Sequence, residues 1–173
     1  MKFDLNKSIE ILERSPAVLS SLLDGLDEEW LFGNEGEGTW SPYDILGHYI
    51  EGEKTDWIPR MRIILSPGGD KCFVPFDRFA QMGLAKRPVG VLLAEFAEWR
   101  KRNLRELREA GLDDEKLDRK GIHPEFGEVS LRELLATWVV HDLNHIFQMT
   151  RVMAKQYKTE IGPWTKYLSV VKG

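Results

Sequence analysis

The chain has 173 residues, 42% hydrophobic and 30% charged, which is enough for one domain with a sizeable core and too short to make two the expectation. Its 24 Lys and Arg against 28 Asp and Glu leave a net charge of −4 with no basic block, which argues against a nucleic-acid partner, since phosphate contacts need clustered cations. No apolar run approaches the roughly 20 residues that cross a bilayer, and the single cysteine, Cys72, excludes an internal disulfide and any paired-cysteine zinc site.

The N-terminus, MKFDLNKSIEIL, carries acids where a signal peptide would need a plain apolar run, so a cytoplasmic chain is expected, with residues 1–173 as a single domain. The first helical stretch runs from about Asp4 to Leu26, with Ile9, Leu12, Pro16, Leu19, Leu22, Leu23 and Leu26 as its apolar stripe. Pro16 interrupts it, because proline fits only a first turn or a kink. The Gly-rich loop GNEGEGT follows.

The second helix has a clear start in TWSPYDIL. Ser41 is the N-cap, Pro42 suits the first helical position, and Trp40 can staple the entry. It should run to about Leu65, with a kink or break at Pro59, until SPGG ends it. Residues 66–87 then form a long connection of a kind that often covers functional sites, with DRFAQMG as a candidate short helix. Cys72 lies here between Lys71 and Phe73 and reads as an inert loop thiol.

The third helix spans about Pro88 to Ala110, closed by Gly111. A polar segment, DDEKLDRKGIHPEFGEV, leads to Ser130, which forms a capping box with Glu133 at the head of the fourth helix. That helix continues to about Lys158 and stops at Gly162-Pro163, and the tail WTKYLSVVK is apolar enough to pack back as a short helix. Strand signals are weak: VVK is short and CFVPF holds a proline. An all-α four-helix bundle with a long connection between the second and third helices is the simplest architecture.

The fourth helix carries HDLNH inside an apolar run. Extending the seam of Leu134 and Trp138 by threes and fours lands on His141, His145, Gln148 and Val152, which puts both histidines on the buried stripe. Asp142 lies roughly 100° away in projection and is expected at the rim or in solvent. A buried imidazole nitrogen without a partner costs on the order of 1–3 kcal/mol. Two readings follow: core histidines bonded to neighbouring helices, or ligands of a metal that satisfies one nitrogen of each ring.

A third histidine bears on the choice. On the second helix Ile45, His48 and Gly52 share a stripe, and Gly52 would let another helix approach closely. His123, in GIHPEF, is expected to be an exposed loop residue outside the cluster. Two histidines from one helix and one from another make a three-ligand set with room for water or substrate, the pattern of a catalytic rather than a closed site. Imidazoles suit zinc, nickel, iron or copper, and the choice stays open at this level.

Several features in matching order resemble the DinB-like superfamily of four-helix-bundle proteins: PAVLSSLLDGL, then TWSPYDILGHYIEGE, a segment of PFDRF character, and SLRELLATWVVHDLNHIFQMTRVM. The resemblance covers nearly the whole chain. It implies a divalent metal held by His48, His141 and His145, with zinc or nickel foremost and iron or manganese as alternatives. Gln148 occupies the position of the glutamine that follows the HxxxH in many relatives. Characterised relatives include thiol transferases using bacillithiol, glutathione or mycothiol and a mycothiol-dependent isomerase, and homodimers are common.

The resulting expectation is a metal-dependent enzyme, a low-molecular-weight-thiol transferase or a hydrolase, acting on a small-molecule substrate. Its metal would lower the pKa of bound water or thiol. Glu51, one turn after His48, and Gln148 are the residues nominated for catalysis, with Asp44, one turn before His48, as a supporting acid. The structural alternative for both acids is an ordinary helix-surface carboxylate. The competing class is a non-catalytic helical dimerisation or binding module with a vestigial or structural metal site. The tryptophans beyond Trp138 serve core, rim or a homodimer surface equally well.

Overall fold

Capping residues and prolines decide where each helix of this chain starts and stops in the computed structural model, which describes residues 1–172. Asp4 accepts a hydrogen bond from the Lys7 N–H and opens α1 (Leu5–Leu12). Pro16 lies in the first turn of α2 (Ser15–Leu23), so the first helical stretch is two helices broken near Arg14. A further short helix, α3 (Glu28–Phe32), is capped by Asp27 and was not expected, because five residues are too few to establish an apolar period.

Ser41 and Asp44 form a capping box at the head of α4 (Pro42–Thr55), so the Asp44 carboxylate holds the Ser41 N–H at 2.9 Å rather than supporting a ligand. The second stretch breaks at Asp56, three residues before Pro59, and resumes as α5 (Trp57–Leu65). A proline ring clashes with the carbonyl four residues back, here that of Thr55, so the break falls there and Pro59 sits in the next first turn.

The connection 66–87 contains no helix; DRFAQMG forms successive turns. After α6 (Val89–Glu109) and the single turn α7 (Asp114–Leu117), the polar segment folds into an unexpected antiparallel hairpin, β1 (Lys120–His123) with β2 (Gly127–Ser130). The hairpin is fastened to the long connection. The Phe73 N–H donates to the Ile122 carbonyl at 2.8 Å, and the Ile122 N–H to the Lys71 carbonyl at 2.9 Å. A Cβ at Gly121 would collide with the Phe73 ring, so this close approach needs glycine. Ser130 and Glu133 then start α8 (Leu131–Gln156), and two short 3-10 turns return the tail so that Val171 is buried.

α1 and α2 together, α4 and α5 together, α6 and α8 make the four long members of an all-α bundle with the long connection in the expected place. Its core, among the described residues, has two apolar clusters. One holds Leu12, Trp57, Leu104 and Trp138, the other Leu19, Tyr49, Phe96 and Met149. Between them on each member lies a buried polar residue: Ser15, Glu53, Arg100 and Asp142. Arg100 bonds both Glu53 and Asp142, Ser15 bonds Asp142, and Asn103 and Trp138 complete Glu53. Asp142 is therefore fully buried and not at the rim as expected, because α8 is covered by α1 as well as by α4 and its buried arc is wider than a single seam. Trp57 and Trp138 are core, whereas Trp164 is exposed. No helix among the described residues is long and apolar enough to cross a membrane.

Candidate metal centre

α4 contributes His48 and α8 contributes His141 and His145, one turn apart on the same face. One ring nitrogen from each lies within 4.8 Å of the others, and the Nε2 atoms of His48 and His141 are 3.0 Å apart. The His145 ring meets those of His48 and His141 edge to face, with the His141 and His145 centroids 4.3 Å apart. His48 and His145 are buried and His141 is half-buried.

These atoms fit a divalent ion. Ligand nitrogens roughly 2.0–2.1 Å from one ion stand about 3.3 Å apart at a tetrahedral angle and about 2.9 Å apart at a right angle. The observed 3.0 Å falls between these values. The Nδ1 of His145 is 2.7 Å from Gln148 Oε1; an amide oxygen accepts, so Nδ1 carries the proton and the Nε2 lone pair is free for the cluster. The buried Nδ1 of His141 has no hydrogen-bond partner among the described residues, so this ring is not fully satisfied as an ordinary core histidine would be.

The electrostatics keep the donors neutral. Burial, then the neighbouring His145, pushes His48 down to about 4. Burial, followed by His145, His48 and Arg100, pushes His141 down to about 2. Burial lowers His145 too, opposed by its bond to Gln148 and by Asp142. Neutral imidazoles are the form that binds metal.

The cluster opens into a cavity of ≈ 500 Å³. Aromatic rings flank the donors: Trp40 is 4.9 Å from His48, Trp57 5.0 Å from His141 and Phe76 5.4 Å from His48. The opposite wall comes from the connection and the hairpin, through Phe73, Arg78, His123 and Phe126. The wall also holds a buried ion pair, Asp56 with Arg60 at 2.6 Å, and burial, opposed by Arg60, lifts Asp56 to about 6.

Four of the five residues nominated from sequence come together: His48, His141, His145 and Gln148. Glu51 lies elsewhere, on a second cavity of ≈ 240 Å³ shared with Tyr43, Lys54 and Gln81. His123 is half-buried on the histidine cavity rather than free in a loop. Its Nδ1 accepts the Glu125 N–H and its ring stacks on Phe126 at 4.4 Å. Gly52 admits Trp57 of α5, whose Nε1 would be 3.2 Å from an added Cβ, and not a second bundle member. Asp56, Arg60 and Arg78 went unnoticed in the sequence. Pro59, which sets the break at Asp56, was the one signal that could have drawn attention there.

The profile of the DinB superfamily matches residues 11–149. No curated protein matches the sequence. Among solved structures, the chain is similar to YfiT from Bacillus subtilis, described as a probable metal-dependent hydrolase with an unusual four-helix bundle topology. The identity is 23% over 88% of this chain and 87% of that one, with a TM-score of 0.74. It is also similar to TT2238, described as a four-helix bundle protein, at 21% identity over 85% of this chain and 98% of that one, with a TM-score of 0.56. At these identities the likeness establishes the fold.

Proposed function

The chain belongs to the DinB superfamily, and on that premise we propose that it is a metal-dependent enzyme whose divalent ion is held by His48, His141 and His145. The observation that carries this reading is the convergence of three neutral imidazoles on the wall of a ≈ 500 Å³ cavity. When bound, the ion would supply Lewis acidity, lowering the pKa of water or of a thiol and polarising an electrophile.

The residues around it have separate tasks. Gln148 fixes the His145 tautomer. Trp40, Trp57 and Phe76 keep bulk water from the donors and strengthen charge interactions in the cavity. Asp56, lifted to about 6, is a wall group able to exchange a proton near neutral pH. Hydrolysis and low-molecular-weight-thiol transfer need the same site and differ in the nucleophile. The description of YfiT as a hydrolase supports the first, and the motif resemblance supports the second.

Under the same reading the protein is a homodimer acting on a small molecule, with the exposed apolar row Val140, Leu143 and Phe147 of α8 available for a partner copy. The test is metal content of protein purified without a histidine tag. Turnover assays with activated esters, and with an electrophile plus a low-molecular-weight thiol, then separate the two reactions. Protein that takes up no divalent ion at micromolar levels contradicts the proposal.

A further inference from the structure

We infer that the histidine cavity selects an anionic substrate with a flat apolar body, its carboxylate or comparable group met by Arg78. This deepens the metal-site reading and rests on it.

Charge is the first argument. All three donors are neutral imidazoles, so nothing in the ligand set cancels the charge of a divalent ion. Arg60 is answered by Asp56 at 2.6 Å. Of the other acids on the wall, Glu133 is occupied by the Ser130 cap, with the Ser130 N–H 2.7 Å from its Oε2, and Glu125 is exposed beside the hairpin turn. Arg78 makes no ion pair among the described residues. It lines the cavity and lies close enough to His48 for its charge to disfavour protonation of that ring. The loaded cavity thus has two uncompensated positive groups near His48.

Shape is the second argument. Trp40, Trp57 and Phe76 stand within 5.4 Å of the donor rings, centroid to centroid, so a molecule reaching the ion must lie against aromatic faces. Phe73 and Phe126 continue that lining outward. A volume of ≈ 500 Å³ takes an organic molecule rather than a simple anion.

Isothermal titration of zinc-loaded protein with three probes tests this: 3-phenylpropanoate, its neutral amide, and propanoate. The acid is expected to bind roughly tenfold tighter than either of the others, as charge-assisted bonds exceed neutral ones. Arg78→Ala should weaken the acid by roughly three- to tenfold, a range limited by the exposure of this side chain, and leave the amide unchanged, and Arg78→Lys should restore part of the loss. Arg78 is exposed, so neither variant threatens folding. Equal binding of acid and amide, equal binding of the acid and propanoate, no binding of the acid, or an Arg78→Ala loss shared by the amide would each overturn the inference. Zinc titration without probe examines the metal reading alone. If the wild type takes up no zinc, the acid-over-amide comparison is made on metal-free wild type and Arg78→Ala. A preference lost with Arg78 still supports the inference, and one that persists or never existed overturns it.

Discussion

The Tyr49 hydroxyl donates to the backbone carbonyl of Asp142 at 2.5 Å, and each of these residues directly follows a histidine of the cluster. The bond ties α4 to α8 at the level of His48 and His141. The Asp142 carboxylate, held by Arg100 and Ser15, fixes the same turn from the other side. The three imidazoles are thus positioned by the fold itself, which would limit the reorganisation that binding an ion requires.

Removing Arg100 should cost as much as the most damaging truncations of the apolar core. Arg100→Met strands Glu53 and Asp142, both almost fully buried, and breaking such a pair from one side costs about 3–5 kcal/mol. Tyr49→Phe loses one buried hydrogen bond and should cost about 1 kcal/mol. Urea denaturation of each variant against wild type measures both, and an Arg100→Met midpoint equal to that of wild type would contradict this account of the polar layer.

Metal affinity should separate ligands from neighbours. Alanine at His48, His141 or His145 removes a donor and should lower zinc affinity by well over tenfold, whereas Gln148→Ala, which frees the His145 tautomer, should cost roughly tenfold. His123→Ala should leave the affinity unchanged, since His123 lines the cavity without joining the cluster. Competition titration against a chelating dye reads all five.

Acid should destabilise the metal-free protein. His48 and His141 are lowered in the folded state, so the unfolded chain binds protons first. Stability is then full above about 6.5 and falls with pH from about 6.5 through about 4, the His48 value, and lower as His141 follows. Asp56, raised to about 6, works in the opposite direction between about 6 and its ordinary value near 3.8. Thermal melts of apo protein from pH 8 to 4 should show a decline that His141→Gln makes shallower. A melting temperature indifferent to that substitution at every pH would be inconsistent with a ring kept neutral by burial.

Gly121→Ala should loosen the outer wall. The new methyl meets the Phe73 ring, and relieving such overpacking typically costs about 1–3 kcal/mol. Because Phe73 lines the cavity, probe binding should weaken as well, while zinc affinity holds. Hydrogen exchange at the Phe73 and Ile122 amides should report the change.

Light scattering addresses assembly. A homodimer gives twice 20.0 kDa at micromolar concentration, and Leu143→Asp together with Phe147→Asp should return the mass to 20.0 kDa. A single 20.0 kDa species for the wild type over a wide concentration range would remove the dimer from the proposal.

Much of this arrangement was legible in the sequence, for identifiable reasons. Ser41-Pro42 and Ser130 with Glu133 announce two helix starts through local chemistry, and those two helices carry all three histidines. The hairpin escaped because KGIH and GEVS lack apolar alternation and owe their pairing to the fastening at Ile122. Asp142 was misplaced because a projection along one seam knows nothing of Arg100, 42 residues away, whose charge draws a carboxylate into the interior. Glu51 was nominated by proximity in sequence, yet a carboxylate three residues from His48 can face another cavity, whereas Asp56, eight residues on, shares the histidine cavity because the helix breaks there.

The fastening of the hairpin to the long connection has one more consequence. The donors ride on α4 and α8, whereas the outer wall is a leaf of two loop segments joined backbone to backbone at Phe73 and Ile122. The imidazole cluster and the outer wall of its cavity are thereby carried on different stretches of chain. Substitutions in the leaf would alter the outer wall without disturbing the helices that carry the three histidines, so a lineage sharing this bundle could vary what enters the cavity while keeping the imidazole cluster intact.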